Sequence, residues 1–248
     1  MSWILVLVLT PVSVFLARWI SSRSALLVLV TIAGYFPFVL EVQVSFLSGF
    51  LILFLWTVLL SVLILGLCRR EPERMQRLIW RSSEYTSGMF RWIETGQLPE
   101  GSLKQVLFYH LKQTLVYCLI AVLSANFLAL VLGSALLNHM NYYVARLAGK
   151  SSKPFRAFIM GWNPWSLVRV ISFLWLGIAV SAPSLSLLFA IPWRFSFALV
   201  APALAGILAD FLLKLILAPV WSAKLRRLCR PPQAGRPLAE SPRLPKSP

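Results

Sequence analysis

The sequence predicts an all-α, polytopic helical integral membrane protein with six to seven membrane segments, a re-entrant hairpin among them and one amphipathic interfacial helix. Three observations carry that prediction. The 248 residues are 58% hydrophobic and 13% charged, with a mean hydropathy of +0.77, whereas soluble domains run about a quarter charged. Apolar runs recur at about 20 residues, the length that crosses a hydrocarbon core of roughly 30 Å. The short alternating strands of a membrane β-barrel are missing.

The first helix is expected over about residues 2–20, the second over 25–40 and the third over 44–68. Arg18 and Arg23 follow the first apolar run rather than preceding it, which fits a retained helix with an outside N-terminus better than a cleaved signal peptide. Pro37 removes a backbone donor and is expected to kink or end the second helix. Glu41 is the lone charge between Ala25 and Cys68, at the turn between the second and third helices.

The character changes over 69–105, read as a cytoplasmic amphipathic segment. Pro72 suits a first helical turn. Met75, Leu78, Ile79, Ser82, Met89, Phe90 and Ile93 recur near helical spacing, and Arg70, Arg74, Arg77 and Arg81 mark another face. One helix over 71–95 is expected, lying in the headgroup plane or packing on the protein's own helices or a partner. Gly96, Pro99 and Gly101 would end it, and Ser102 opens a capping box for the next helix.

Residues 106–223 return to membrane helices: 106–137, then 167–189 and 195–218. The tail over 224–248 is basic and Pro-rich, and is expected to be disordered. The run 106–137 makes about 48 Å of helix, short for two full crossings but adequate for a hairpin reaching partway. If it crosses once, the cations divide 11 against 12 between the two sides, with Lys214 inside a helix. If it turns back, 22 of the 24 share one side and Arg194 stands alone on the other. Positive-inside asymmetry favours the hairpin, with Asn126 at its tip; a single long tilted helix is the competing reading. The hairpin makes the basic stretch from Asn138 to Arg156 cytoplasmic.

The net charge of +16 belongs beside the apolar runs, where cations set orientation and meet anionic lipids, so nucleic acid is not expected as a partner. Cys68, Cys118 and Cys229 are too scattered for a disulfide framework or a CxxC metal site. His110 and His139 lack a surrounding acidic cluster or HExxH, and no GxSxG elbow or P-loop occurs. No metal, cofactor or catalytic residue is expected.

Asp210 and Lys214 lie four apart in one apolar run, on one helix face. A lone charge at mid-bilayer costs roughly 2.5–3.5 kcal/mol on insertion scales, so they are expected to pair. A structural clamp with Lys214 snorkelling is weighed ahead of a coupling or substrate pair. Glu41 and Asn126 are candidates for a pathway. Arg146, Lys150, Lys153, Arg156 and Arg169 are candidates for anionic headgroups, with Tyr142, Tyr143, Trp162 and Trp165 at headgroup depth.

The function expected is that of a non-catalytic accessory or assembly subunit of a larger membrane complex. A small transporter or channel is the alternative, and an enzyme acting on a lipid-linked phosphate comes third. The expected partners are anionic lipids and other membrane subunits, in a bacterial cytoplasmic membrane by default.

Overall fold

A computed structural model of the chain describes residues 1–97 and 103–229. Among them eleven helices follow one another without a strand. Six are long and apolar enough to cross a membrane, and one bent pair makes a seventh candidate. The protein is an all-α polytopic membrane protein.

Helices α1 (Ser2–Ile20), α2 (Arg23–Val42) and α3 (Phe46–Arg70) run up, down and up. Their turns are written locally: Ser21 closes α1 in the left-handed region (φ 57°), and Ser45 Oγ caps α3 by accepting from the Ser48 amide at 3.0 Å. Pro37 does not end its helix, because α2 continues to Val42. Neighbouring helices tolerate such breaks in the hydrogen-bond ladder inside a bundle. Beside it Gly34 admits the Trp56 ring of α3; a Cβ on Gly34 would lie 2.6 Å from that ring. The indole nitrogen donates to the Val30 carbonyl at 3.0 Å.

Two ends are thereby defined. At the basic end, Arg18 reaches Glu71 at 2.6 Å, Arg74 donates to the Arg18 carbonyl, and Arg23 donates to the Arg77 carbonyl. At the far end lie Glu41 and Arg194, the latter beside Trp193, whose indole donates to the Val42 carbonyl.

The amphipathic stretch is two helices, α4 (Pro72–Leu78) and α5 (Ser82–Thr95), rather than one. Ile79 is extended and Arg81 is left-handed (φ 53°). The break is held from outside: His139 of the hairpin donates to the Trp80 carbonyl, and Ser82 Oγ donates to the Gln76 carbonyl. Met75, Leu78, Ile79, Trp92 and Ile93 are buried against the protein's own core. The apolar face therefore packs on its own helices, while Arg69, Arg70, Arg77 and Arg91 point outward, exposed. Gly96 ends α5 in the left-handed region (φ 77°). The sequence signals at Pro99, Gly101 and Ser102 lie outside the described residues.

The long run turns back on itself. Helix α6 (Leu103–Leu123) rises from the basic end, Ser124–Asn126 turn, and α7 (Phe127–Lys150) returns. Ala125 (φ 48°) and Asn126 (φ 74°) take the left-handed conformation that a tight reversal needs. Asn pays less for that conformation than a branched residue would. The tip is fully buried, and Tyr35 Oη donates to the Ala125 carbonyl. Tyr35 is seven residues short of the end of α2, so the tip stops about 10 Å before the far end at 1.5 Å per residue.

Beyond the hairpin, α8 (Pro154–Gly161) and α9 (Pro164–Val180) form the pair bent by 45°. Then α10 (Ala182–Phe189) turns at the far end and α11 (Phe197–Cys229) runs the full depth back. The expected segment 167–189 thus falls on α9 and α10, and 195–218 on the longer α11. Lys224–Cys229, expected in a disordered tail, complete α11; residues 230–248 lie outside the described residues.

Candidate functional site

The interior charges come together where α6, α9 and α11 meet. Asp210 is fully buried on α11, opposite Arg169 on α9. Arg169 Nε donates to one carboxylate oxygen at 2.8 Å and Nη2 to the other at 3.1 Å, the two-pronged geometry that only a guanidinium offers. The helices can approach this closely because Gly206 lies against Ser172 one turn away, where a Cβ would sit 2.1 Å from the hydroxyl. Small residues at a crossing serve this purpose in membrane bundles.

His110 of α6 completes the cluster. Its Nδ1 lies 3.5 Å from Asp210 and its Nε2 lies 3.4 Å from Arg169 Nη2. Nε2 faces the guanidinium, which can only donate, and Nδ1 faces the carboxylate. Three helices distant in sequence are tied at one point, and its charges are matched.

The cluster borders a chamber of about 810 Å³ at the basic end. Helix α5 and the turn before it supply Arg81 and Glu84, α7 supplies His139, α9 supplies Arg169 and α11 supplies Lys214. The described wall presents three cations, Arg81, Arg169 and Lys214, against the carboxylate of Glu84. Asp210 is shielded behind Arg169. Glu84 is itself engaged, since Arg81 Nε donates to it at 2.5 Å. That hydrogen bond holds its carboxyl below the usual carboxylate range. Two further wall residues have open valences: the indole nitrogen of Trp92 and Oδ1 of Asn163 are buried without a partner among the described residues. One donor and one acceptor are thus left for a ligand or water.

A second space of about 280 Å³ adjoins the chamber, sharing Tyr85, Leu136, Ser166 and Arg169 as wall. It continues between the hairpin, α3 and α9. Its lining is largely apolar, with Trp56, Leu130, Leu137, Phe173 and Leu174.

The residues singled out by the sequence divide sharply. Arg169 stands apart from the other four candidates for anionic headgroups: it is an interior residue bound to Asp210. Arg146 is half-buried, and Lys150, Lys153 and Arg156 are exposed at the basic end, with Lys150 over the Phe90 ring at 4.2 Å. The stretch from Asn138 is helical over most of its length. Helix α7 runs through it to Lys150, and Asn138, Asn141, Tyr142 and Tyr143 are buried. Trp165 is buried as well, stacked edge-on between Trp92 and Trp221.

Asp210 and Lys214 do share a buried face of α11, and the bidentate partner of Asp210 lies across on α9. Glu41 and Asn126 line neither space. Glu41 stands at the far-end turn, while Asn126 packs at the hairpin tip against Gly177, where a Cβ would lie 2.5 Å from its Oδ1. His110 was weighed as a metal ligand or triad member and not as a neighbour of an interior carboxylate. The available signal was its position one turn inside an apolar run, as Arg169 is in another.

No protein-family profile, curated protein or solved structure matches the chain.

Proposed function

We propose that the chain is a non-catalytic membrane protein that receives an anionic ligand in the chamber between α5, the α6–α7 hairpin, α9 and α11. The observation that carries this reading is the buried Arg169–Asp210–His110 cluster at the chamber wall. Ionised side chains inside a bilayer are costly and concentrate at substrate paths and binding sites. Here the carboxylate fixes Arg169 in one orientation, so the guanidinium edge stands preorganised beside Lys214 and Arg81. A ligand anion then meets cations already held in place, which lowers the ordering cost of binding.

The test is thermal unfolding of the purified chain in lipid nanodiscs, with and without inorganic pyrophosphate, against a sodium chloride control of equal ionic strength. Pyrophosphate raises the unfolding temperature of the wild type, and Lys214→Gln with Arg81→Gln removes most of that rise. No rise in the wild type sinks the proposal.

A subunit role in a larger membrane assembly is the second reading. It is supported by the basic end, where Arg70, Arg77, Arg91, Lys153 and Arg156 face outward and would suit an acidic partner surface or anionic lipid. Co-purification of partner proteins in mild detergent supports it; a lone, monodisperse species counts against it.

A further inference from the structure

The shape of the site specifies more than a charge. The chamber carries the cations Arg81, Arg169 and Lys214 on walls that are otherwise largely apolar; the adjoining space is smaller, has Arg169 as its one cation and is directed toward the middle of the bundle. The two meet at Arg169, and such a change of chemistry along one path matches a molecule with the same division. We propose that the ligand is an amphiphile with a phosphate-type anionic head and a single hydrocarbon chain, the head beside Arg169 and Lys214 and the chain in the space between the hairpin, α3 and α9. This rests on the anion-binding reading above and deepens it.

Volume sets the chain. A space of about 280 Å³ holds roughly nine or ten groups of about 30 Å³, the share of one water and slightly more than a methylene. One alkyl segment fits. The head would lie beside the cations Arg81, Arg169 and Lys214, and the Trp92 indole, unpartnered among the described residues, lies on the same wall. Phosphate oxygens accept several charge-assisted hydrogen bonds at once.

Gly133 provides a means to separate head from chain. It lines the apolar space, and a Cβ built there meets nothing within 4 Å. Gly133→Leu therefore fills that space with no clash at the first atom and leaves the chamber residues untouched.

The experiment measures binding to the full chain in detergent micelles by tryptophan fluorescence, using four kinds of probe. These are inorganic pyrophosphate, an alkyl phosphate series from six to eighteen carbons, a lysophosphatidic acid, and a lysophosphatidylcholine of the same chain. The affinity for alkyl phosphates is expected to climb to about ten carbons and then level, ending about tenfold or more above pyrophosphate, because each buried methylene adds favourable transfer energy. Lysophosphatidic acid binds with the long alkyl phosphates, and lysophosphatidylcholine binds at least about tenfold more weakly. Gly133→Leu removes the gain from chain length and keeps pyrophosphate binding.

A flat chain-length series with pyrophosphate still bound overturns the amphiphile and leaves the anion site standing; in that case the ligand is a free phosphate compound. Equal binding of the two lysolipids also overturns it, since the head would then not be read. Failure of every probe, pyrophosphate included, removes the anion site itself. The chain-length series in the wild type decides the matter even if the Gly133 variant does not fold.

Discussion

The first three helices and the last six differ in the polar groups they hold in the membrane. In α1–α3 several buried hydroxyls turn back on their own helix. Ser13 donates to the Thr10 carbonyl, Thr57 to the Leu53 carbonyl and Ser61 to the Thr57 carbonyl. Such local bonds let these helices pack closely, while Trp56, Tyr35 and Thr31 tie them to their neighbours. From α6 onward ionisable groups reach across as well. Asp210 depends on Arg169 and His110 from two other helices, and His139 depends on a carbonyl before α5. Cross-helix partners fix relative positions, and they leave space between the elements they hold apart. The first region is a scaffold; the second encloses a chamber.

That contrast can be broken by substitution. The largest effect is expected at Asp210. Asp210→Asn leaves Arg169 facing a neutral group in the interior and should cost about 3–5 kcal/mol of stability. Arg169→Gln combined with Asp210→Asn should recover much of that loss, because no uncompensated charge remains. Equilibrium unfolding in mixed micelles would show both changes. A double variant as unstable as the single one would mean that the pair is not the unit.

Next come two glycines. Gly34→Ala drives a methyl group into the Trp56 ring of the scaffold and should cost about 1–3 kcal/mol through overpacking. Gly133→Ala enters the open apolar space of the other region and should be neutral within about 0.5 kcal/mol. Equal losses at both sites would erase the distinction between packed scaffold and enclosed space.

The smallest effect concerns the tie at the basic end. Arg18 holds the Glu71 carboxyl below the usual carboxylate range, chiefly by its hydrogen bond. A carboxyl depressed in the folded state binds protons more weakly there than in the unfolded chain. Its contribution is therefore complete at neutral pH and fades as the pH falls below about 4. Glu71→Gln should flatten the acid limb of the stability profile slightly and change nothing at pH 7 beyond a small constant offset.

Much of the architecture was legible in the sequence because the bilayer imposes few solutions. The helix limits of α1 and α3 follow from apolar length, and the hairpin followed from charge bookkeeping, with Asn126 at the turn. The errors have a common cause. Pro37, the break at Ile79–Arg81 and the continuation of α7 past Asn138 are decided by neighbouring helices, which a local pattern does not contain. The same holds for the site. Spacing along α11 puts Asp210 and Lys214 on one buried face, because i, i+4 geometry can be read from one segment. Arg169 and His110 come from other helices and enter only through packing. The sequence reading accordingly placed an accessory role first, since the residues that now build a chamber were scattered over four segments.

The account rests on the return of α6–α7, which puts α5 and the end of α7 at one end of the molecule and closes the chamber between them. Accessibility of single cysteines tests this directly. With Cys68, Cys118 and Cys229 replaced, cysteines at Ser83, Ser152 and Ser196, all exposed, are reacted with a membrane-impermeant maleimide in intact and lysed cells. The structure predicts that Ser83 and Ser152 behave alike and Ser196 behaves oppositely, whichever way the protein is inserted. Opposite labelling of Ser83 and Ser152 would mean that residues 106–137 cross only once, and both the chamber and the ligand proposed for it would fall.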